Sequence, residues 1–159
     1  MKRYLKSFLS DFRPIKGPDA SFDLRDFLDK GFKCPVCRHD IGVYIISATD
    51  GTKYIYPNGK RSPIIYIGMS DDLLRRLREH YMNLKNLLED RDYGMDNNEQ
   101  LPSRYQYMYY NGSHVDVFMC RRSQESKVME STFINRFYHI YRAIPIGNGA
   151  HSFGKILFS

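Results

Sequence analysis

Two runs of β-branched and aromatic residues, Gly42 to Ala48 and Pro63 to Ile67, lead straight into a stretch where Leu73, Leu77, Tyr81, Leu84 and Leu88 recur along one helical face. The first two patterns predict buried strands and the third an amphipathic helix. A chain that must cover a sheet with a helix in this way is neither an all-helical bundle nor a sandwich; it belongs to the α+β class. The polar stretch between the strands carries two turn signals, Asp50-Gly51 and Asn58-Gly59, around the strand-like Thr52 to Tyr56.

The remaining elements follow from local chemistry. Residues 1 to 12 predict a short amphipathic helix ended by Pro14, Gly17 and Pro18. Ser21 is placed to cap a second helix over Phe22 to Lys30, where Leu24, Phe27 and Leu28 share a face and Gly31 supplies the stop. Ser70 or Asp71 caps the leucine-rich helix, which ends near Asp90. The stretch Arg91 to Leu101, rich in Asp and Asn, reads as an exposed loop. Pro102 opens a helix to Asn111 with Gly112 as its stop, His114 to Cys120 alternates as a strand, and Gln124 to Tyr141 forms a long last helix before Pro145. The expected architecture is a small central antiparallel sheet of about three strands flanked by helices. A helical extension occupies residues 1–40, before the main domain at 41–159.

At 159 residues the chain has room for one hydrophobic core, and 42% hydrophobic residues suffice to build it. No run is long enough to span a bilayer, so no membrane partner is expected. An odd count of three cysteines argues against a disulfide framework and fits a reducing, cytoplasmic setting. The net charge of +6 favours a polyanionic partner such as DNA, because neutralising phosphates releases condensed counterions.

The residues that carry chemistry begin with Gly42-Val43-Tyr44 on the first strand and Tyr66-Ile67-Gly68 at the end of the second. Arg76 lies ten residues beyond Tyr66 and His80 four beyond that, about one helical turn, so both share a helix face. Glu130 follows within the last helix, beside a stripe of Met129, Phe133 and Phe137 and flanked by Ile134. A carboxylate bordering that much apolar surface is costly unless paired or metal-bound. Asn148 sits between two glycines after Pro145-Ile146. Individually these are a strand tyrosine, a basic helix face, a packing histidine and a turn asparagine. Jointly, over roughly residues 41 to 150, they resemble the signature of the GIY-YIG endonucleases.

The resemblance implies a metal-dependent endonuclease that hydrolyses DNA phosphodiester bonds. It implies catalytic roles for Tyr44, Tyr66, Arg76, His80, Glu130 and Asn148, with Glu130 holding a single Mg²⁺ or Mn²⁺. Tyr44 would accept the water's proton, Tyr66 orient the water, and Arg76 fork onto phosphate oxygens. A free phenol titrates near ~10, so this role requires a nearby cation or metal. The family's lysine after the second glycine is Met69 here, which directs attention to His80, Lys53 or Lys60 as its substitute. The family pairs its two tyrosine strands side by side, so residues 49 to 61 are expected to loop out as an arm. Lys53, Lys60 and Arg61 on that arm, with Arg75 and Arg78 on the helix, are the candidate DNA contacts. One site cuts one strand, so cutting both needs a homodimer or two encounters. The alternative function is a noncatalytic nucleic-acid-binding module retaining this fold. Cys34-Pro35-Val36-Cys37, with His39 close behind, has the spacing of half a zinc site, but no second pair follows it.

Overall fold

The computed structural model describes residues 2–9, 17–89 and 103–149. Its centre is a four-stranded antiparallel sheet in the order β1-β6-β2-β5, formed by β1 (Ala20–Asp23), β2 (Ile41–Ser47), β5 (Ile64–Ser70) and β6 (His114–Cys120). A separate hairpin of β3 (Tyr54–Ile55) and β4 (Arg61–Ser62) stands between β2 and β5 in the chain. The helices are α1 (Lys2–Leu9), α2 (Leu73–Glu89), α3 (Ser103–Asn111) and α4 (Ser123–Tyr141). No helix among the described residues is long and apolar enough to cross a membrane.

The sheet has four strands where about three were expected, and the extra one corrects the helix assigned to Phe22 to Lys30. Residues 20–23 run extended along the edge of β6, with Phe22 opposite Val115, and the Ser21 hydroxyl donates to Asp116 at 2.6 Å. The cap is Asp23, not Ser21: its carboxylate accepts from the Arg25 amide at 2.9 Å, and its own amide donates to Asp26 at 3.0 Å. That reciprocal box starts a short 3₁₀ helix over Leu24–Leu28. The local helical pattern is real but begins two residues late, because pairing with the open edge of β6 outweighs it. The segment before residue 41 therefore contributes a strand to the main sheet as well as α1, whose Phe8 meets Phe133 and Phe137 of α4 edge-on at 6.2 and 6.3 Å.

The expected pairing of the two tyrosine strands is present. β2 and β5 run antiparallel as neighbours, Tyr44 opposite Gly68 and Ile46 opposite Tyr66. Residues 49 to 61 leave the sheet as an arm whose base is closed by the Ala48 amide donating to the Pro63 carbonyl at 2.9 Å. The arm is docked, with the Tyr56 ring 5.2 Å from Phe137 and 5.3 Å from Tyr141, and Asn58 donating to the Ile140 carbonyl at 2.8 Å.

Strand alternation sorts the sheet into two faces. Tyr44, Ile46, Tyr66 and Gly68 share one; Val43, Ile45 and Phe118 share the other, since Val43 lies opposite Phe118. Both faces are covered, which is why Asp116 and Phe118 of β6 are buried along with Val115 and Val117. Helices α2 and α3 cover the Tyr44 face, and α4 covers the other through Phe133, 5.2 Å from Phe118. The buried stripe of α2 is Leu73, Leu77, His80, Leu84 and Leu87; Tyr81 and Leu88, expected in it, sit half-buried at its margin. Its first turn is capped by Asp72, one residue beyond the expected Asp71, which accepts from the Arg75 amide at 3.3 Å. The stretch Arg91 to Leu101 lies outside the described residues.

Candidate functional site

Tyr44 is fully buried at the centre of β2, and its hydroxyl lies 2.7 Å from His80 Nε2. The other ring nitrogen, Nδ1, lies 2.9 Å from the hydroxyl of Tyr105 on α3. The rings of Tyr44 and Tyr66 stand 5.8 Å apart, and each is about as far from the imidazole, at 5.4 and 5.5 Å. This closeness depends on Gly68, opposite Tyr44, where even a Cβ would fall 2.5 Å from Tyr66 Cε1 and 2.7 Å from the Tyr44 hydroxyl.

Two guanidinium groups flank this aromatic cluster. Arg76, half-buried one turn before His80, pairs with Glu79 at 2.9 Å and bears on both phenols. Half-burial works against its charge, but the oxygens of Tyr44, Glu79 and Tyr66 outweigh that and hold its pKa above the ordinary value. Arg104 of α3 places its guanidinium carbon 4.4 Å over the ring of Tyr66.

These surroundings fix the resting protonation. Burial, reinforced by Tyr66 and opposed by Arg76, raises the Tyr44 pKa well above that of a free phenol. Burial, then Arg76 and Arg104, hold the His80 pKa well below the imidazole value of 6.5. The pair is therefore a neutral phenol against a neutral imidazole. A histidine depressed in the folded state contributes stability that is complete above the unfolded value and is lost as pH falls through the folded one. Between the two values the loss is about 1.4 kcal/mol per pH unit, or about 3–6 °C of Tm for a chain of this size. Melting between pH 7 and 5 should show wild type losing more stability than His80→Asn; parallel curves for the two would refute the neutral buried imidazole.

Glu130 is buried with Ser126, Phe133, Ile134 and Phe137 in the sheet-facing stripe of α4. Met129, expected in that stripe, is half-buried beside it. The carboxylate is thus presented from the opposite side of β2 and β5 to the phenols. Asn148 binds the outer edge of β5 as a backbone mimic, its side chain accepting from the Ile67 amide at 3.0 Å and donating to the Ile67 carbonyl at 2.9 Å. The Gly147 amide donates to Ile65 at 2.7 Å, so the segment after α4 is stitched along the strand that carries Tyr66.

Of the three substitutes considered for the family's lysine, His80 touches Tyr44, while Lys53 and Lys60 stand exposed on the arm. Position 69 pairs with Val43 and belongs to the α4 side of the sheet, so a lysine there would not stand on the face that carries Tyr44. Arg61, Arg75 and Arg78 are exposed, Arg75 sharing Glu79 at 3.4 Å.

Sequence reasoning missed Tyr105 and Arg104. Their one signal was a basic and aromatic start to α3, which nothing in the linear pattern tied to Tyr66. For a metal, the donor chemistry is one carboxylate. Among the described residues no three His, Cys, Asp or Glu side chains converge, so a divalent cation at Glu130 would take its other ligands from water and phosphate. That donor count is compatible with Mg²⁺, but Glu130 is buried on the α4 side of the sheet and does not share a face with Tyr44, Tyr66 and Arg76, so it does not fit a cation shared with that cluster. Cys34 is half-buried and Cys37 exposed, both as free thiols, and the described residues bring them no third ligand. Comparison with protein families, curated proteins and solved structures found no match to this chain.

Proposed function

We propose that this chain is a metal-dependent DNA endonuclease of the GIY-YIG type. The observation that carries the reading is the close packing of Tyr44, Tyr66, Arg76 and His80 on one face of the sheet, with a 2.7 Å contact between a buried phenol and a buried imidazole. A pure packing role does not call for a hydroxyl–imidazole–hydroxyl chain set between two guanidiniums.

The chain has a chemical direction. With its proton on Nδ1, His80 donates to Tyr105 and accepts from Tyr44 at Nε2, and in that tautomer the phenol oxygen can accept a proton from water while releasing its own to the imidazole. Imidazolium is opposed at rest by burial, Arg76 and Arg104. A phosphodiester beside those cations brings the negative charge that relieves the opposition. Arg76 forks onto the non-bridging oxygens and Tyr66 orients the water. The exposed Lys53, Lys60, Arg61, Arg75 and Arg78 would engage the backbone on either side. Cutting both strands then requires a second copy or a second encounter.

Supercoiled plasmid tests this directly. Wild type is expected to nick it with Mg²⁺ or Mn²⁺, to stop in excess EDTA, and to lose nicking in Arg76→Ala. Salt-sensitive binding without cleavage under any metal would establish the noncatalytic binding module instead.

A further inference from the structure

Arg104 has an environment unlike that of the other guanidinium in the cluster. Arg76 is neutralised by Glu79 at 2.9 Å, whereas among the described residues no carboxylate or carbonyl meets Arg104. Its Nε is buried without a hydrogen-bond partner. What holds the group is the face of Tyr66, 4.4 Å below its central carbon, and the backbone of the segment that binds β5: a Cβ on Gly147 would lie 2.9 Å from the Arg104 Cβ and 2.7 Å from the Ile65 carbonyl oxygen. Gly147 therefore clears the space in which this arginine reaches Tyr66. A half-buried cation with an unsatisfied donor and no counter-charge is costly to hold, and an anion at the cluster removes the cost.

From this we infer that Arg104 is the second phosphate-gripping cation of the site, closing on a DNA phosphodiester from the α3 side while Arg76 grips it from α2. The inference rests on the endonuclease reading and adds a residue and a geometry to it. Two planar forks around one phosphate fix its orientation as well as its charge. Tyr66 then has two tasks: it faces the water, and its ring is the platform that aims Arg104. A lysine would keep the charge at this position and lose the fork.

The experiment compares wild type, Arg104→Ala, Arg104→Gln and Arg104→Lys on a 20-base-pair duplex. It measures kcat and KM, and binding in excess EDTA over a range of salt. Alanine and glutamine are expected to raise KM and Kd about 10- to 100-fold and to reduce the slope of log Kd against log salt by about one. Lysine should keep the slope and recover part of the affinity, which a merely structural role would not produce. If Arg104→Ala does not fold, the glutamine and lysine variants carry the same comparison. Wild-type KM, Kd and slope in the glutamine variant would overturn the assignment of Arg104 while leaving the nuclease standing. A wild-type protein that cuts no DNA with any metal would overturn the nuclease reading and this inference with it. Competition by inorganic phosphate as strong as by duplex would show a site for free phosphate, which also overturns it.

Discussion

Tyr44→Phe should lower DNA cleavage about a thousandfold while leaving the protein folded. The ring stays in a fully buried position, so packing is preserved and only the hydroxyl is lost. That hydroxyl is the atom 2.7 Å from His80 Nε2, and in the proposed reaction it is the route by which the water's proton reaches the imidazole. General acid–base groups contribute about 10²- to 10⁴-fold, and removing one that acts only in the transition state lowers kcat with little change in KM. The stability cost is that of an imidazole nitrogen left buried without its partner, about 1–3 kcal/mol. Single-turnover rates on a labelled duplex, beside a melting curve, separate the two effects. A rate within threefold of wild type would remove Tyr44 from the chemistry.

The second large effect is expected at a residue with no side chain. Gly68→Ala introduces a Cβ 2.5 Å from Tyr66 Cε1 and 2.7 Å from the Tyr44 hydroxyl, well inside contact distance. Both tyrosines are buried and held by the cluster around them, so they can yield only by moving off His80 and out from under Arg104. Overpacking of this kind costs about 1–3 kcal/mol, and a displacement of about 1 Å in a reacting group costs about a hundredfold in rate. Gly17→Ala, where the new Cβ would meet nothing within 4 Å, is the matched control. Activity should fall at least a hundredfold in the first variant and stay unchanged in the second. Equal activity in both would mean that the ring positions are not critical.

How much of this was legible in the sequence depends on distance along the chain. Tyr44, Tyr66, Arg76 and His80 were readable together because their order on two strands and the following helix resembles a family signature, and that resemblance, with its paired tyrosine strands, is what implied that residues 49 to 61 form an arm rather than a middle strand. The apolar stripe beside Glu130 showed that it borders the core, but not that it is buried. Nor did it show the side of the sheet that Glu130 occupies, because that needs the register of β6 against β2 and the contact between Phe118 and Phe133. β1 was misread because Leu24, Phe27 and Leu28 do form a helical turn, and only the free edge of β6 explains why the residues before them are extended. Arg104 and Tyr105 were missed for the same reason: α3 meets α2 and β5 only in the folded chain, and a lone Arg-Tyr pair carries no spacing that points to Tyr66.

The proposed reaction requires a phenol and a guanidinium from different elements, Tyr44 and Arg76, to act as one site. Residues that act as a unit show non-additive losses. Cleavage of one labelled duplex in Mg²⁺ by wild type, Tyr44→Phe, Arg76→Ala and the double variant, each checked by melting, measures this directly. Each single variant should lose at least a hundredfold, and the double variant should be no more than about tenfold slower than the worse single. Wild-type rates in both single variants, or losses that multiply in full, would show that Tyr44 and Arg76 do not form a shared site.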